Sequence, residues 1–164
     1  MISSPPKVAA ALPPESAQVA ELIDLVREVL HGSLRQLHPT LAKEGITMGQ
    51  FWAIHTVSSL ETATLSTVAR YLGVTPPSAC ANIDELEQAG LVRRQRSARD
   101  RRAVELSLTP RGRKVEARVW SEIGRVMSHA GQGLDPHDVG AAVRVFREIA
   151  LQLNANGAGR SEGA

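Results

Sequence analysis

Cysteine is nearly absent: Cys80 is the only one in 164 residues. A single thiol excludes an internal disulfide and a cysteine-rich zinc site. Aromatic rings are scarce too. Phe51, Phe146, Trp52, Trp120 and Tyr71 amount to 3% of the chain, too few for a module that stacks single-stranded bases on aromatic platforms. No apolar run approaches the length that spans a bilayer. The opening residues, Met1-Ile2-Ser3-Ser4-Pro5-Pro6-Lys7, lack the basic start and apolar stretch of a secretion signal. A cytoplasmic protein with no membrane partner is expected. There is no Gly-x-Ser-x-Gly, no His-Glu-x-x-His, no phosphate-cradling glycine loop and no dinucleotide fingerprint. The expectation is a protein that is not an enzyme and carries no cofactor.

Lysine is rare as well, since 16 of the 19 basic residues are arginine. They are unevenly spread. Between Leu91 and Arg118 stand Arg93, Arg94, Arg96, Arg99, Arg101, Arg102, Arg111, Arg113, Lys114 and Arg118, against the acids Asp100, Glu105 and Glu116. That stretch nets +7 and the rest of the chain −5. Such an asymmetry marks a polyanion-facing segment on an acidic body. Arginine suits phosphate and the negative minor groove. The plainer alternative is a solvated basic loop.

Hydrophobic residues at 43% and charged residues at 22% fit one folded domain with a real core. Residues 1–14, rich in Pro, Ala and Ser, read as a disordered tail. Within 15–44, Val19, Leu22, Ile23, Val26, Leu30, Leu34, Leu37 and Leu41 recur at helical steps. Pro39 is expected to end or kink that helix near His38. A helix over 17–38 would be about 33 Å long at 1.5 Å per residue, and a stripe of that length suits packing against a second subunit. Thr47-x-x-Gln50 has capping-box spacing, with Phe51, Ile54, Val57 and Leu60 as the apolar face that follows. A short helix is expected from Leu65 to Leu72, then a turn at Gly73. A fourth helix is capped by Thr75 with Pro76 at its first position, and Gly90 ends it. Its buried stripe is Ala79, Ile83 and Leu86. Leu91–Arg94 and Ala103–Leu108 read as two strands joined by a polar, basic tip. Thr109-Pro110 repeats the cap and opens a helix to about Ala130. Asp135-Pro136 opens a last helix with Val139, Val143, Phe146, Ile149, Ala150 and Leu153 as its stripe. Residues 156–164 read as a flexible tail.

Two helices around a three-residue turn, followed by a hairpin, make a winged helix-turn-helix. The order of parts resembles the MarR family of bacterial and archaeal transcription regulators. The resemblance rests on Ile46-Thr47-x-x-Gln50-Phe51, on Leu65-Ser66-x-Val68-Ala69-x-x-Leu72-Gly73-Val74-Thr75-Pro76, and on Ile83-Asp84-x-Leu86-Glu87-x-x-Gly90-Leu91-Val92. Its most specific piece is Arg93-Arg94-x-x-Ser97-x-x-Asp100-Arg101-Arg102-x-x-x-x-Leu106-x-Leu108-Thr109-x-x-Gly112. It covers about residues 16–155. It implies a mostly α fold with a small β-hairpin wing, as a winged helix-turn-helix over 45–109. A helical dimerisation domain would be built from 15–44 and 110–155. It further implies a homodimer on double-stranded, pseudo-palindromic operator DNA, usually a repressor. Many members lose affinity for DNA when a small aromatic or phenolic effector binds between the two domains.

A twofold dimer can set two recognition helices in successive major grooves, about 34–36 Å apart. The helix opened by Thr75 is the candidate, with Thr75, Pro77, Ser78, Cys80, Ala81 and Asn82 as its DNA-facing residues and Ser66 and Thr67 beside them. Asn82 can read adenine. Members of the family commonly hold a basic residue at the place of Ala81 and often one at that of Glu85. Here the helix holds Asp84, Glu85 and Glu87 instead, a net −3 brought toward a polyanion. The wing is therefore expected to supply most of the attraction through Arg96, Arg99, Arg101 and Arg102. By the resemblance, Asp100 pairs with Arg102 and stiffens the loop. An alternative is a winged-helix protein–protein interaction module whose operator recognition is weak or lost.

His38, Phe51, Trp52 and His55 fall at the expected junction of the two domains and are candidates to line an effector pocket. The alternative for Phe51 and Trp52 is plain core. Cys80 is either a redox handle or a small packing residue. Oxidant-sensing relatives usually hold their cysteine in the first helix, and a nearby Asp84 would raise the thiol's pKa. His31 and His38 share a helix face, but two histidines with no close third ligand do not make a metal site.

Overall fold

Side-chain caps divide the chain into helices much as the sequence predicts. The computed structural model describes residues 17–96 and 104–158. In chain order the elements are α1 (Ala17–Glu44), α2 (Met48–Ser59), α3 (Leu65–Leu72), α4 (Pro76–Gln88), β1 (Val92–Arg96), β2 (Val104–Leu108), α5 (Pro110–Ala130) and α6 (Pro136–Ala158). The α2 box closes as expected: Thr47 N–H donates to Gln50 Oε1 at 2.8 Å and Gln50 N–H to Thr47 Oγ1 at 3.2 Å. A second box, Thr64 with Thr67, opens α3. Thr75 caps α4, with Pro76 at its first position. At α5, Thr109 Oγ1 accepts the Gly112 N–H at 3.0 Å.

Two helix lengths differ from expectation. Of the two outcomes expected at Pro39, an end or a kink, the end is excluded, because the helix runs on to Glu44 with Pro39 inside it. Proline removes one backbone donor and crowds the preceding turn. The turns on either side of it are held by Leu37 and Leu41, both buried in the core, and that burial outweighs the lost hydrogen bond. The helix ends where Ile46 N–H reaches back to the Leu41 carbonyl at 3.1 Å. At the other end of the chain, α6 extends to Ala158, so the expected tail from residue 156 begins as helix. The expected tail over 1–14 lies outside the described residues.

The chain divides into two compact units, Met1–Met127 and Ser128–Ala164. In the first, the core gathers Leu37, Leu41 and Ile46 with Phe51, Ile54 and Val57 of α2, Val68 of α3, and Ile83 and Leu86 of α4. Leu91, Val92, Leu106 and Leu108 of the hairpin join it, as do Val115 and Val119 of α5. The strands pair antiparallel from Val92↔Leu108 to Arg96↔Val104. The sequence reading missed a third contributor: Leu106 N–H donates to the Ala63 carbonyl at 2.7 Å, which ties the α2–α3 link to the wing. Gly112 lets α5 close on this core. A Cβ there would lie 2.0 Å from the Leu91 carbonyl oxygen, a backbone atom that cannot give way.

The stripe foreseen along α1 is only partly buried. Val19, Ile23, Val29, Leu30 and Leu34 are all exposed. In the second unit, α6 leaves Val139, Val143, Phe146, Ile149, Leu151 and Leu153 exposed. Leu134, Val139, Val143 and Phe146 line a shallow apolar groove there.

Candidate nucleic-acid interface

The turn between α3 and α4 rests on Gly73, which adopts φ 65° while Val74 N–H returns to the Ala69 carbonyl at 3.0 Å. A residue without Cβ takes that left-handed conformation at no steric cost. Beyond the turn, Ala79, Ile83 and Leu86 are buried in the core. The opposite stripe of α4 is Pro77, Ser78, Ala81, Glu85 and Gln88, and all five are exposed. A helix whose inner stripe is fixed and whose outer stripe is bare presents one defined face to a groove.

The candidate residues fall into distinct groups. Thr75, Pro77, Ser78 and Ala81 point outward, and Ser66 is exposed on α3. The Thr75 and Ser78 hydroxyls bond each other at 2.9 Å, which leaves one of their two hydroxyl protons for a phosphate. Thr67 is committed to the α3 cap, accepting from Thr64 N–H at 2.8 Å and donating to the Thr64 carbonyl at 3.0 Å. Asn82 and Cys80 sit on the half-buried flanks of α4. Cys80 faces the hairpin, with Sγ 4.0 Å from Arg94 and 3.7 Å from Asp84 Oδ2. Arg96 is exposed at the end of β1. Arg99, Asp100, Arg101 and Arg102 lie outside the described residues. Gln88 was missed by the sequence reading. Its seven-residue spacing from Ala81, two helical turns, is the signal that finds it.

The structure corrects the charge reading of α4. Two of its three carboxylates, Asp84 and Glu87, share a cation, while Glu85 stays on the exposed stripe. Arg94 Nη1 pairs with Asp84 Oδ1 and with Glu87 Oε2, each at 2.7 Å. The Arg94 backbone N–H donates to Glu87 Oε1 at 3.0 Å. Gln50 Nε2 donates to Glu85 Oε2 at 2.6 Å. The hydrogen bond to Asp84 raises the Arg94 guanidinium above its ordinary value; burial opposes this and Glu87 adds to it. Other arginines of the basic stretch are also engaged within the fold. Arg111 donates to the Ala89 carbonyl at 2.7 Å and Arg113 to the Leu108 carbonyl at 2.8 Å. Arg118 pairs with Glu44 at 2.8 Å, and Arg93 bonds Ser107 at 2.9 Å.

The four effector candidates separate. Phe51, Trp52 and His55 form one aromatic cluster on α2, and Trp120 of α5 completes it with ring centroids 4.9–6.1 Å from the other three. Phe51 is fully buried core, while Trp52 and Trp120 are each about 40% exposed. His38 lies apart, beside Leu34, Leu41, Ala42, Ile46, Thr47 and Met48, around a cavity of about 290 Å³. His55 Nδ1 has two competing neighbours, Glu116 Oε1 at 3.1 Å and the Trp120 indole N–H at 3.3 Å. With a proton on Nδ1 it donates to Glu116; without one it accepts from Trp120. Glu116 and Trp120 stand four residues apart beside the buried Val115–Val119 stripe. That spacing is the signal by which α5 could have been assigned to this cluster.

Residues 44–103 match the sequence model of the MarR family. Over that segment the chain is similar to a MarR-family winged helix-turn-helix. That MarR-family segment runs from the end of α1 through α2, α3, α4 and β1 to the wing link. Solved structures extend the likeness of fold beyond it. A MarR family protein from Bacillus stearothermophilus is 20% identical, with a TM-score of 0.74 over 84% of this chain and 96% of that one. Staphylococcus aureus MarR, in complex with salicylate and kanamycin, is 19% identical, with a TM-score of 0.74 over 84% and 93%. CouR from Rhodococcus jostii RHA1, bound to p-coumaroyl-CoA, is 21% identical, with a TM-score of 0.64 over 77% and 89%. The family match covers the winged segment, and the likeness to the solved structures is one of fold. No helix among the described residues is long and apolar enough to cross a membrane.

Proposed function

We propose that this chain works in the cytoplasm as a homodimeric repressor that holds pseudo-palindromic duplex DNA and releases it to a small aromatic or phenolic effector. The observation that carries the reading is α4 itself. It is capped at Thr75, anchored by Ala79, Ile83 and Leu86, and bare along Ser78, Ala81 and Gln88. A helix N-terminus offers free amides to phosphate, and Gln88 and Asn82 are the amide side chains able to pair with adenine. The arginines of the wing, Arg96, Arg99, Arg101 and Arg102, supply the attraction to the backbone and the minor groove, with Asp100 stiffening the tip. The exposed apolar rows of α1 and α6 suit cover by a second copy.

For the effector, support comes from the Phe51, Trp52, His55 and Trp120 cluster and, separately, from the His38 cavity. Salicylate and p-coumaroyl-CoA on the two structural neighbours are ligands of that chemistry. The alternative, a protein-interaction module, drew its support from the acids of α4. Arg94 pairs with two of those acids and Gln50 bonds the third, Glu85, which keeps its charge on the exposed stripe, so that support is reduced to one free charge.

Selection of bound sites from random duplex DNA tests the reading. The expected product is an inverted repeat with half-sites about 10–10.5 base pairs apart, or a multiple of that spacing. Arg101→Ala with Arg102→Ala is expected to flatten the salt dependence of binding by roughly one unit of slope per lost phosphate contact per subunit. A monomer that ignores every duplex in dilute buffer would refute the proposal.

A further inference from the structure

An arginine beside a recognition helix is ordinarily counted as a phosphate ligand. The position of Arg94 argues otherwise. It leaves β1 and spends its donors on α4: Nη1 on Asp84 and Glu87, and its backbone N–H on the second oxygen of Glu87. Its side chain is 30% exposed, against 47% for Asp84 and 38% for Glu87. The two carboxylates are thus the more open partners of the pair. Short, charge-assisted contacts from both the side chain and the backbone of one residue fix direction as well as distance. They join the strand that leads to the wing to the helix that enters the groove.

We infer that Arg94 is a positioning residue for DNA binding: it orients α4 against β1 and offsets one of the two charges of Asp84 and Glu87, and it does not itself contact DNA. The inference rests on the DNA-binding reading given above. Two consequences follow from the charges. Removing Arg94 alone leaves two negative groups on the helix that approaches phosphate, and like charges brought together at an interface weaken it and slow encounter. Removing all three charges together removes the repulsion that Arg94 had offset and leaves no unpaired ion in this cluster, with Glu85 unchanged in every variant. A phosphate-binding arginine behaves differently, because its loss costs affinity whether or not the acids remain.

The test compares Arg94→Met, the double variant Asp84→Asn/Glu87→Gln, and the triple variant that combines them. The probe is a fluorescent random-sequence duplex, titrated at low and at moderate salt. Thermal melts of each protein report folding. Arg94→Met is expected to bind about tenfold more weakly at low salt, with the deficit shrinking as salt screens the exposed acids. The triple variant is expected to bind at least as well as the unaltered protein. A triple variant that folds but binds as weakly as Arg94→Met makes Arg94 a DNA ligand and overturns the inference. So does an Arg94→Met variant that binds normally. Should Arg94→Met fail to fold, the triple variant against the unaltered protein decides alone. Failure of the unaltered protein to bind any duplex sinks the DNA-binding reading instead, a distinct outcome.

Discussion

The winged part and the terminal helices handle hydrophobic surface in opposite ways. Between Ile46 and Val119 the apolar side chains converge on one core, with Phe51, Ile54, Ile83 and Leu91 fully buried. Along the first five turns of α1 and along α6, side chains of the same types remain in solvent. Composition does not separate the two regions. The first region is complete within one chain, whereas the second has surface left to cover. Substitutions should therefore cost stability in the first and assembly in the second.

The largest effect is expected for Phe51→Ala, at about 3–5 kcal/mol of unfolding free energy, since a fully buried ring leaves a cavity. Denaturant titration measures it, and a cost under 1 kcal/mol would mean this core is not continuous. Gly112→Ala comes next, at about 2–3 kcal/mol, because its new Cβ meets the Leu91 carbonyl oxygen. Thr75→Ala removes the cap of α4 and is expected to cost about 1 kcal/mol. Leu30→Lys, on the uncovered row, should cost the single chain less than about 0.5 kcal/mol. It should nevertheless move the protein from dimer to monomer in sedimentation and abolish the concentration dependence of its Tm. If Leu30→Lys remains dimeric, the α1 row is not the surface that joins copies.

The smallest effect concerns charge. Glu122 is held below its ordinary value by its hydrogen bond to Arg125, one turn further along the outer face of α5. A depressed carboxylate contributes stability above its unfolded pKa and loses it as pH falls through the folded one. Glu122→Gln should leave the melting temperature nearly unchanged at neutral pH, since exposed pairs contribute little. An NMR titration should place the Glu122 midpoint below that of an ordinary glutamate. Arg94 is raised rather than lowered. A raised base stays charged below its unfolded pKa, so its clamp on α4 is expected to persist across the neutral range.

How much the sequence discloses depends on the range of the interaction. The caps at Thr47, Thr75 and Thr109, the turn at Gly73 and the buried stripe of α4 are local, and each is readable within about four residues. Pro39 misleads because the burial of Leu37 and Leu41 is a tertiary effect, and it outweighs a local rule. The recognition-helix acids mislead for a related reason. Formal charge is a property of residue type, while the partial neutralisation of Asp84 and Glu87 depends on Arg94, seven and ten residues further along the chain. Cys80 is drawn to the hairpin flank by the same cluster. Trp120 was visible as an aromatic residue, but its place beside His55 needs contacts across 65 residues.

Helix α1 is a stiff rod whose final turns are fixed in the winged core and whose first turn is packed again at the fully buried Ala20. Leu37 and Leu41 fix its final turns in the winged core, and the preceding 20 residues extend about 30 Å from that clamp. Leverage follows from the ratio of arms. A tilt of about 5° at the clamp sweeps the far tip through roughly 2–3 Å. A small motion near Leu37 is thereby delivered, enlarged, to the packing around the buried Ala20.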